Sequence, residues 1–153
     1  MNLTIIASVS ENNVIGNKCE IPWKISEDLK RFKRLTLDHP VIMGEKTYLS
    51  LPEKFRPLPR RKNIVLSQNL QSQEGIYIAR TIDEAIKLAE EDLKLKEDKN
   101  IKDAYVMGGG QVYKSFLPLA NKMELTRVHR HYNGDTKFPD VNWDEWELTN
   151  QRD

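Results

Sequence analysis

Short apolar runs that alternate with helix-like segments are the feature of this sequence that most restricts its fold. Six such runs, rich in β-branched residues, occupy residues 3–9, 40–44, 64–67, 76–79, 104–107 and 123–128. Nearly continuous apolar runs of this length are typical of strands covered on both faces. Because helical patterns separate several of them, the sequence predicts an α/β domain with a central, mainly parallel sheet flanked by helices. Ligands of such folds bind at the carboxyl ends of the strands.

The composition favours one domain without a strong overall charge. A chain of 153 residues that is 39% hydrophobic can bury one sizeable core, so residues 1–153 are predicted to form a single domain. The balance of 24 basic and 23 acidic residues gives a net charge of +1, which provides no field for nucleic acid or an anionic membrane. With no apolar run of spanning length and no signal-peptide pattern, we expect a cytoplasmic protein. The one cysteine, Cys19, excludes an internal disulfide.

A helix is predicted to begin near Ser26, which is a favoured N-cap residue. Glu27 and Asp28 follow in the first turn, where the helix dipole stabilises negative charge. Helical spacing puts Glu27 beside Lys30 and Arg31. Glu27 is therefore predicted to be a solvated ion-pair partner.

Asp28 is predicted to lie on the other, apolar face of this helix. Its spacing aligns it with Phe32 and Leu35, so we expect its carboxyl group to point into a crevice beside Trp23. Burial there would favour the neutral form and make Asp28 a candidate proton donor or an acceptor for a cationic ligand. From this stretch alone, an acid that merely complements the helix dipole is an equally good interpretation.

Two strands are predicted to end in glycine turns that lead into helices. The strand 40–44 ends at Gly44, and Thr47 is predicted to cap a short helix through Leu51. The strand 104–107 runs into the glycines at 108–110, before a helix at 112–117. Free backbone N–H groups at such helix starts can bind phosphate, and glycines allow close approach of a ligand. Ordinary tight turns explain either motif equally well.

Two connecting segments have possible binding roles. Residues 11–24 carry too many turn residues for a simple connector, and long ordered loops are often lids or binding loops. The basic segment 57–62 is either a solvated surface or the source of an arginine that clamps a carboxylate.

Three local patterns complete the prediction. Thr81 and Glu84 have the spacing of a capping box, and residues 146–149 resemble the start of a strand. His129 and His131 would share one face of a strand, but without a third ligand they are interpreted as surface residues.

Taken together, these motifs resemble the dihydrofolate reductase family, in particular its bacterial chromosomal members. The resemblance runs from Leu3 to about Trp146. It is carried by Asn13-Val14-Ile15-Gly16, Ile21-Pro22-Trp23, residues 28–33, Val41-Ile42-Met43-Gly44, Lys46-Thr47, Pro57-Leu58-Pro59, Arg61-Lys62-Asn63, Gly108-Gly109-Gly110 with Val112-Tyr113, and Gly134-Asp135-Thr136 before Phe138-Pro139.

The resemblance implies hydride transfer from NADPH to dihydrofolate, which yields tetrahydrofolate, and binding of folate analogues. Asp28 would anchor the pteridine and support protonation of its N5, while Trp23 would help to order a nearby water. Arg61 would clamp the carboxylate of the substrate's glutamate. The other implied residues of the folate pocket are Ile6, Ala7, Leu29, Phe32, Leu51, Leu58, Met107 and Thr126.

The resemblance also implies a cofactor pocket, a mobile lid and a monomeric protein. A cis peptide bond is expected between Gly108 and Gly109, and residues 11–24 would form the lid, held closed with the help of Asp135. The implied cofactor residues are Ala7, Ile15, Gly16, Gly44, Lys46, Thr47, Ser67, Gln68, Met107, Gly109, Gly110, Gln111, Val112 and Tyr113.

The chain departs from the family pattern in two respects. Glu45, Gln68 and Gln111 stand where relatives often have residues that contact the 2′-phosphate of NADPH. Family members also usually continue past Trp146 through a long hairpin, whose last strand inserts beside the Thr126 strand. The hairpin is expected to be incomplete here, which would leave strand edges unpaired and liable to aggregate.

Two other functions remain open from the sequence. A related reductase of riboflavin synthesis acts on a ribosylated pyrimidine, but it would have no reason to keep Trp23 with Asp28 and Arg61. A folate or nucleotide-binding module without turnover is favoured only by the missing final strand.

Overall fold

The computed structural model describes residues 1–16 and 26–152 of the chain. Within these residues the strands are β1 (Asn2–Ser10), β2 (Val14–Gly16), β3 (Pro40–Gly44), β4 (Lys62–Leu66), β5 (Ile76–Ala79), β6 (Asp103–Val106), β7 (Lys122–Val128) and β8 (Thr136–Lys137), and the α-helices are α1 (Ser26–Thr36), α2 (Glu45–Ser50), α3 (Ile82–Lys94) and α4 (Gly110–Phe116). No helix in the described ranges is long and apolar enough to cross a membrane.

Six of the described strands form one sheet in the order β5-β4-β3-β6-β1-β7, and every neighbouring pair is parallel. β1 lies between β6 and β7, with Leu3 opposite Ala104 and Ala7 opposite Leu125. The predicted α/β fold with a mainly parallel sheet is therefore confirmed. The carboxyl ends of all six strands consequently meet at one edge of the sheet.

The sheet has a hydrophobic core on each face. Successive residues of a strand point to opposite faces, so Ile5 and Ala7 enter one core and Ile6 enters the other. The first core lies against α3 and α4, through buried residues such as Ala85 and Phe116. The second core contains Val41, Met43, Tyr48, Leu58, Val65, Ile76 and Tyr105, and Phe32 and Leu35 of α1 pack against it.

A small antiparallel ribbon, β2 with β8, lies beside the main sheet. Gly134 is tightly enclosed there, because a Cβ atom on it would come within 2.3 Å of Val14 Cγ1 and 2.5 Å of the Gly16 carbonyl oxygen. A Cβ atom on Gly110 would lie 2.9 Å from Thr136 Cγ2. The ribbon therefore packs against the first residue of α4.

The helix starts are only partly as predicted. α1 begins at Ser26, and Thr81 caps α3 by accepting a hydrogen bond from the Glu84 backbone N–H. The Glu84 carboxylate accepts from the backbone N–H of Arg80, so the reciprocal bond of the capping box forms one residue earlier. The prediction that Thr47 caps the next helix is wrong. α2 begins two residues before it, at Glu45, because Gly44 already has the extended N-cap backbone.

The predicted strand at residues 146–149 is also wrong. Residues 146–152 have no strand, and a single 3-10 turn, Trp143–Glu145, precedes them. A strand needs a hydrogen-bonded neighbour, which alternation in the sequence cannot supply. β7 lies at the edge of the sheet, with β1 as its one neighbour among the described strands.

Two peptide bonds are cis. The bond between Gly108 and Gly109 confirms the expectation from the family resemblance, whereas the cis bond between Arg56 and Pro57 was not predicted.

Asn63 fastens the connector before β4 to the sheet. This fully buried side chain accepts from the Leu58 backbone N–H at 2.9 Å. It also donates to the carbonyl oxygens of Leu58 and Arg61 at 2.9 and 2.8 Å. Three backbone groups of this connector thus depend on one amide.

Replacing Asn63 with alanine should lower the free energy of unfolding by about 2–4 kcal/mol, because buried backbone groups would lose their partners. Urea unfolding of the variant measures this loss. The matched control is Asn69→Ala at an exposed position, which should change stability by less than about 0.5 kcal/mol. Equal losses in the two variants would contradict the role of Asn63.

Candidate active site

The first turn of α1 brings one carboxyl group into the protein and leaves its neighbour in solvent. Asp28 is half-buried and Glu27 is exposed. Phe32 and Leu35, on the same face as Asp28, pack against the second core. The predicted division of faces is therefore confirmed, whereas Trp23 lies outside the described residues.

Of the two predicted neighbours of Glu27, Lys30 and Arg31, the pairing with Arg31 was wrong. The Arg31 guanidinium pairs with the Glu124 carboxylate of β7 instead, and that carboxylate also lies 3.7 Å from Lys122 Nζ. The Glu124 side chain is only 23% exposed, so an ion pair there is less weakened by water than one with exposed Glu27. This pair ties α1 to the edge strand of the sheet.

Tyr113 of α4 joins the middle of β1 to the glycine turn. Its hydroxyl donates to the Ile6 carbonyl oxygen at 2.8 Å, and a Cβ atom on Gly108 would lie 3.4 Å from the same hydroxyl. Complete burial and the nearby negative charge of Asp28 raise the pKa of Tyr113 above its ordinary range.

Arg61 is held at the opposite end of α1. Its Nε donates to the Pro59 carbonyl oxygen at 2.9 Å, and its Nη1 donates to Thr36 Oγ1 at 3.0 Å. Buried Thr36, the last residue of α1, donates in turn to the Phe32 carbonyl oxygen at 2.7 Å. Burial lowers the pKa of Arg61, the charge of Arg60 lowers it further, and Asp38 opposes them.

Sequence reasoning missed Thr36 and the anchoring role of Asn63. Thr36 follows Phe32 by four residues, the spacing at which a threonine hydroxyl reaches back to a helix carbonyl. That signal predicts the local bond but contains nothing about Arg61, which is 25 residues away.

An apolar surface connects the two ends of α1. Asp28 and Thr36 are eight residues apart, which corresponds to about 12 Å along a helix. Five of the predicted folate-pocket residues belong to the second core or pack against it: Ile6, Phe32, Leu51, Leu58 and Met107.

Three predicted pocket residues are not in that group. Ala7 belongs to the first core, on the other face of β1, and Leu29 is 61% exposed. Thr126 is half-buried on β7, opposite Ser8.

The two predicted glycine turns meet at the edge of the sheet. The Gly44 backbone N–H donates to the Gly108 carbonyl oxygen at 2.8 Å. The Met107 backbone N–H donates to the Ile42 carbonyl oxygen at 2.9 Å. A Cβ atom on Gly44 would lie 3.1 Å from Val112 Cγ2. α2 and α4 therefore begin next to each other, and neither start has a side-chain cap.

Most other predicted cofactor residues lie around these turns. Thr47 lies in α2, close to Gly109, and Lys46 and Gln111 are exposed in the first turns of α2 and α4. Ile15 and Gly16 lie on β2, whose partner β8 packs against Gly110.

Glu45 faces the end of β4. Its Oε1 accepts a 2.8 Å hydrogen bond from Ser67 Oγ. That hydroxyl oxygen also accepts from the backbone N–H groups of Asn69 and Leu70, at 3.2 and 2.8 Å. The Ser67 hydroxyl is therefore already used in a local network.

Arg80 lies on the other side of the same turn. Its Nη1 donates to the Ser67 carbonyl oxygen at 2.7 Å, and its Nη2 donates to that of Leu70 at 3.1 Å. Gln68 Nε2 donates to the Arg80 carbonyl oxygen at 2.6 Å. A guanidinium group is thus fixed beside the turn, although sequence reasoning gave Arg80 only a secondary role.

Asp135 and the two histidines lie at the surface. The Asp135 carboxylate accepts from Thr136 Oγ1 at 3.0 Å, and its proposed contact with the lid remains a prediction because most of that loop lies outside the described residues. His129 and His131 are exposed and lie 3.9 and 3.4 Å from the Glu11 carboxylate, which agrees with their interpretation as surface residues.

Comparison with known proteins identifies the family to which this site belongs. The family model described as dihydrofolate reductase matches residues 2–153. The chain belongs to the dihydrofolate reductase family. It is 37% identical to dihydrofolate reductase of Haemophilus influenzae, over 97% of this chain and 85% of the relative. It is 40% identical to dihydrofolate reductase type 3 of Salmonella typhimurium (96% and 86%) and 39% identical to dihydrofolate reductase of Neisseria gonorrhoeae (99% and 90%).

The dihydrofolate reductase family implies a nucleotide cofactor, and the glycine turns fit one. Cβ atoms on Gly44, Gly109 and Gly110 would fill space within 3.4 Å of Val112, Thr47 and Thr136, respectively. Glycine at these positions lets the two turns and the ribbon pack closely, which brings the uncapped starts of α2 and α4 together. Free backbone N–H groups at helix starts can bind a pyrophosphate.

Replacing Tyr113 with phenylalanine should lower stability at neutral pH by about 1–3 kcal/mol, because the buried Ile6 carbonyl oxygen would lose its donor. The raised pKa of Tyr113 stabilises the folded protein below the ordinary tyrosine pKa of about 10, and this contribution declines above that pH. Urea unfolding at neutral and alkaline pH should therefore give a shallower alkaline decline in Tyr113→Phe than in wild type. The control Tyr77→Phe, at a half-exposed position, should leave that decline unchanged.

Proposed function

We propose that this chain reduces dihydrofolate to tetrahydrofolate, using hydride from NADPH and a proton delivered to N5 of the pteridine. The observation that carries the proposal is the placement of Asp28 and Arg61 at opposite ends of one apolar surface along α1. An elongated ligand with a hydrogen-bonding ring at one end and a carboxylate at the other matches this arrangement.

Asp28 is proposed to bind the pteridine and to favour its protonation. A half-buried carboxylate accepts hydrogen bonds from ring N–H groups and stabilises positive charge that develops on the ring. Water is the proposed source of the proton, so Asp28 sets the electrostatic environment without donating directly. Trp23 is proposed to help order that water.

Arg61 is proposed to bind the substrate's glutamate through one carboxylate. Thr36 and the Pro59 carbonyl oxygen already fix its guanidinium group, so little side-chain entropy is lost on binding. The remaining pocket residues Ile6, Phe32, Leu51, Leu58 and Met107 supply an apolar surface for the ring and the linker.

NADPH supplies the hydride when it is bound. The residues proposed to hold it are the glycines of the two turns, with Lys46, Thr47, Gln111, Val112 and Tyr113, while Ile15 and Gly16 are proposed to cover it from β2. Tyr113 is proposed to fix the middle of β1 beside this pocket through its bond to Ile6.

The preference for NADPH over NADH is proposed to be narrower than is usual in the family. Glu45 is held by Ser67 near the start of α2, where its negative charge opposes a 2′-phosphate. The Ser67 hydroxyl donates to Glu45, so it offers no proton to that phosphate in this arrangement. Lys46 and Arg80 remain as the nearby cations.

We also propose that the chain acts as a single domain and a monomer in the cytoplasm, without binding nucleic acid. The net charge of +1 supports the last point.

Loss of nicotinamide absorbance after adding dihydrofolate to protein and NADPH tests the proposed reaction. Steady oxidation of NADPH is the expected result. Oxidation with a ribosylated pyrimidine alone would indicate the riboflavin-type reductase. Binding of both ligands without oxidation would indicate a module that lacks turnover.

Replacing Asp28 with asparagine should reduce kcat/KM at neutral pH by roughly a hundredfold or more. The remaining activity should rise toward acid, where solvent protonates more of the substrate. The pH profile of kcat/KM measures both effects. Glu27→Gln is the matched control on the exposed face, and equal losses in the two variants would contradict the assigned role of Asp28.

Replacing Glu45 with arginine should widen the NADPH preference on the order of tenfold, by exchanging a repulsive charge for a charge-assisted contact. Lys46→Ala should narrow it. The measurement is the ratio of kcat/KM for NADPH and NADH, with Glu74→Arg as a control for net charge. An unchanged ratio in both test variants would show that the phosphate binds elsewhere.

A further inference from the structure

Asp38 and Arg60 form an unusual contact beside the Arg61 clamp. Both have left-handed backbones, with φ of 69° and 59°, a conformation that is unfavourable for residues other than glycine. The Asp38 backbone N–H donates to the Arg60 carbonyl oxygen at 2.9 Å. Their side chains also pair, with Arg60 Nε and Nη2 lying 3.3 and 2.8 Å from the two carboxylate oxygens.

The end of α1 thus holds two neighbouring guanidinium groups. Thr36 binds Arg61, and Asp38, two residues later, binds Arg60. Burial lowers the pKa of Arg61, the neighbouring charge of Arg60 lowers it further, and Asp38 raises it. A helix C-terminus also stabilises cationic side chains.

Exposure distinguishes the two arginines. Arg61 is half-buried, whereas the Arg60 side chain is 66% exposed and its partner Asp38 is 45% exposed. Arg60 binds Asp38 through Nε and Nη2. Among the described residues, no hydrogen bond uses its Nη1 group, which is therefore available to a ligand. The guanidinium is therefore oriented by Asp38 and still accessible.

The glutamate of dihydrofolate carries two carboxylates, and a single arginine fork matches one of them. We propose that Arg60 binds the outer, γ-carboxylate of this glutamate while Arg61 binds the inner one. This inference rests on the proposed function. Asp38 orients Arg60 and also partly neutralises it, so its charge weakens the attraction for the ligand.

The test compares dihydrofolate with its γ-amide, in which the outer carboxylate is a neutral amide. Wild-type protein should have a KM about two- to fivefold lower for dihydrofolate than for the amide, the range expected of an exposed ion pair. Arg60→Gly should abolish this difference by raising the KM for dihydrofolate alone. Its kcat should stay unchanged, because the outer carboxylate is remote from the reacting ring.

The variant Asp38→Asn distinguishes a role of Arg60 in ligand binding from a purely structural role of the ion pair between Asp38 and Arg60. Asparagine tolerates the left-handed backbone and keeps an acceptor oxygen, but it removes the opposing charge. This variant should therefore lower the KM for dihydrofolate, the opposite of Arg60→Gly. A purely structural ion pair would instead make both variants raise the KM for both substrates, and that result would overturn the proposal.

Two further measurements keep the outcomes distinct. Arg61→Lys should raise the KM for dihydrofolate and for the amide alike, because both retain the inner carboxylate. Thermal unfolding should show no loss of stability in Arg60→Gly, since glycine accepts this backbone freely. If the wild type oxidises NADPH with both substrates at equal KM, this proposal fails alone. If it oxidises NADPH with neither, the proposed function fails.

Discussion

Parallel pairing of the strands is the constraint on which the rest of the structure depends. Because every pair in the main sheet is parallel, the ends of β1, β3, β4 and β6 come to one edge. The bond from the Gly44 N–H to the Gly108 carbonyl oxygen joins two of these ends directly. Residues that are far apart in the sequence, such as Glu45, Ser67 and Tyr113, consequently surround one region.

The sequence predicted elements well wherever burial alone determined them. β3 and β5 have the predicted bounds, because both are short apolar runs enclosed in the sheet. β4 begins two residues before the predicted run. Lys62 opens it, and its Nζ lies 4.4 Å from the centre of the Tyr77 ring and donates to the Leu88 carbonyl oxygen at 2.9 Å. A lysine carries no apolar signal in the sequence, so these contacts of its charged end could not be predicted from the apolar pattern.

Long-range polar contacts were beyond sequence reasoning, except where family resemblance supplied them. The face of Asp28 follows from helical periodicity, but the bond from Arg61 to Thr36 and the three bonds of Asn63 depend on how separate segments pack. The predicted pairing of Glu27 with Arg31 failed for the same reason, since the acid that Arg31 pairs with, Glu124, lies 93 residues away. The prediction of a strand at 146–149 failed in a similar way, because a strand needs a hydrogen-bonded neighbouring strand and periodicity does not reveal whether one is present.

Tyr113 has one further consequence, which follows from its contacts on two sides. Its buried ring lies next to Gly108 in the glycine turn, and its hydroxyl donates to the Ile6 carbonyl oxygen in the middle of β1. One side chain therefore joins a proposed folate residue to the turn proposed to hold the cofactor. With ligands bound on both sides, a ligand that shifts Tyr113 on one side would change the binding free energy on the other, and each ligand would then change the affinity of the other by the same factor. Such coupling would need no movement of the sheet.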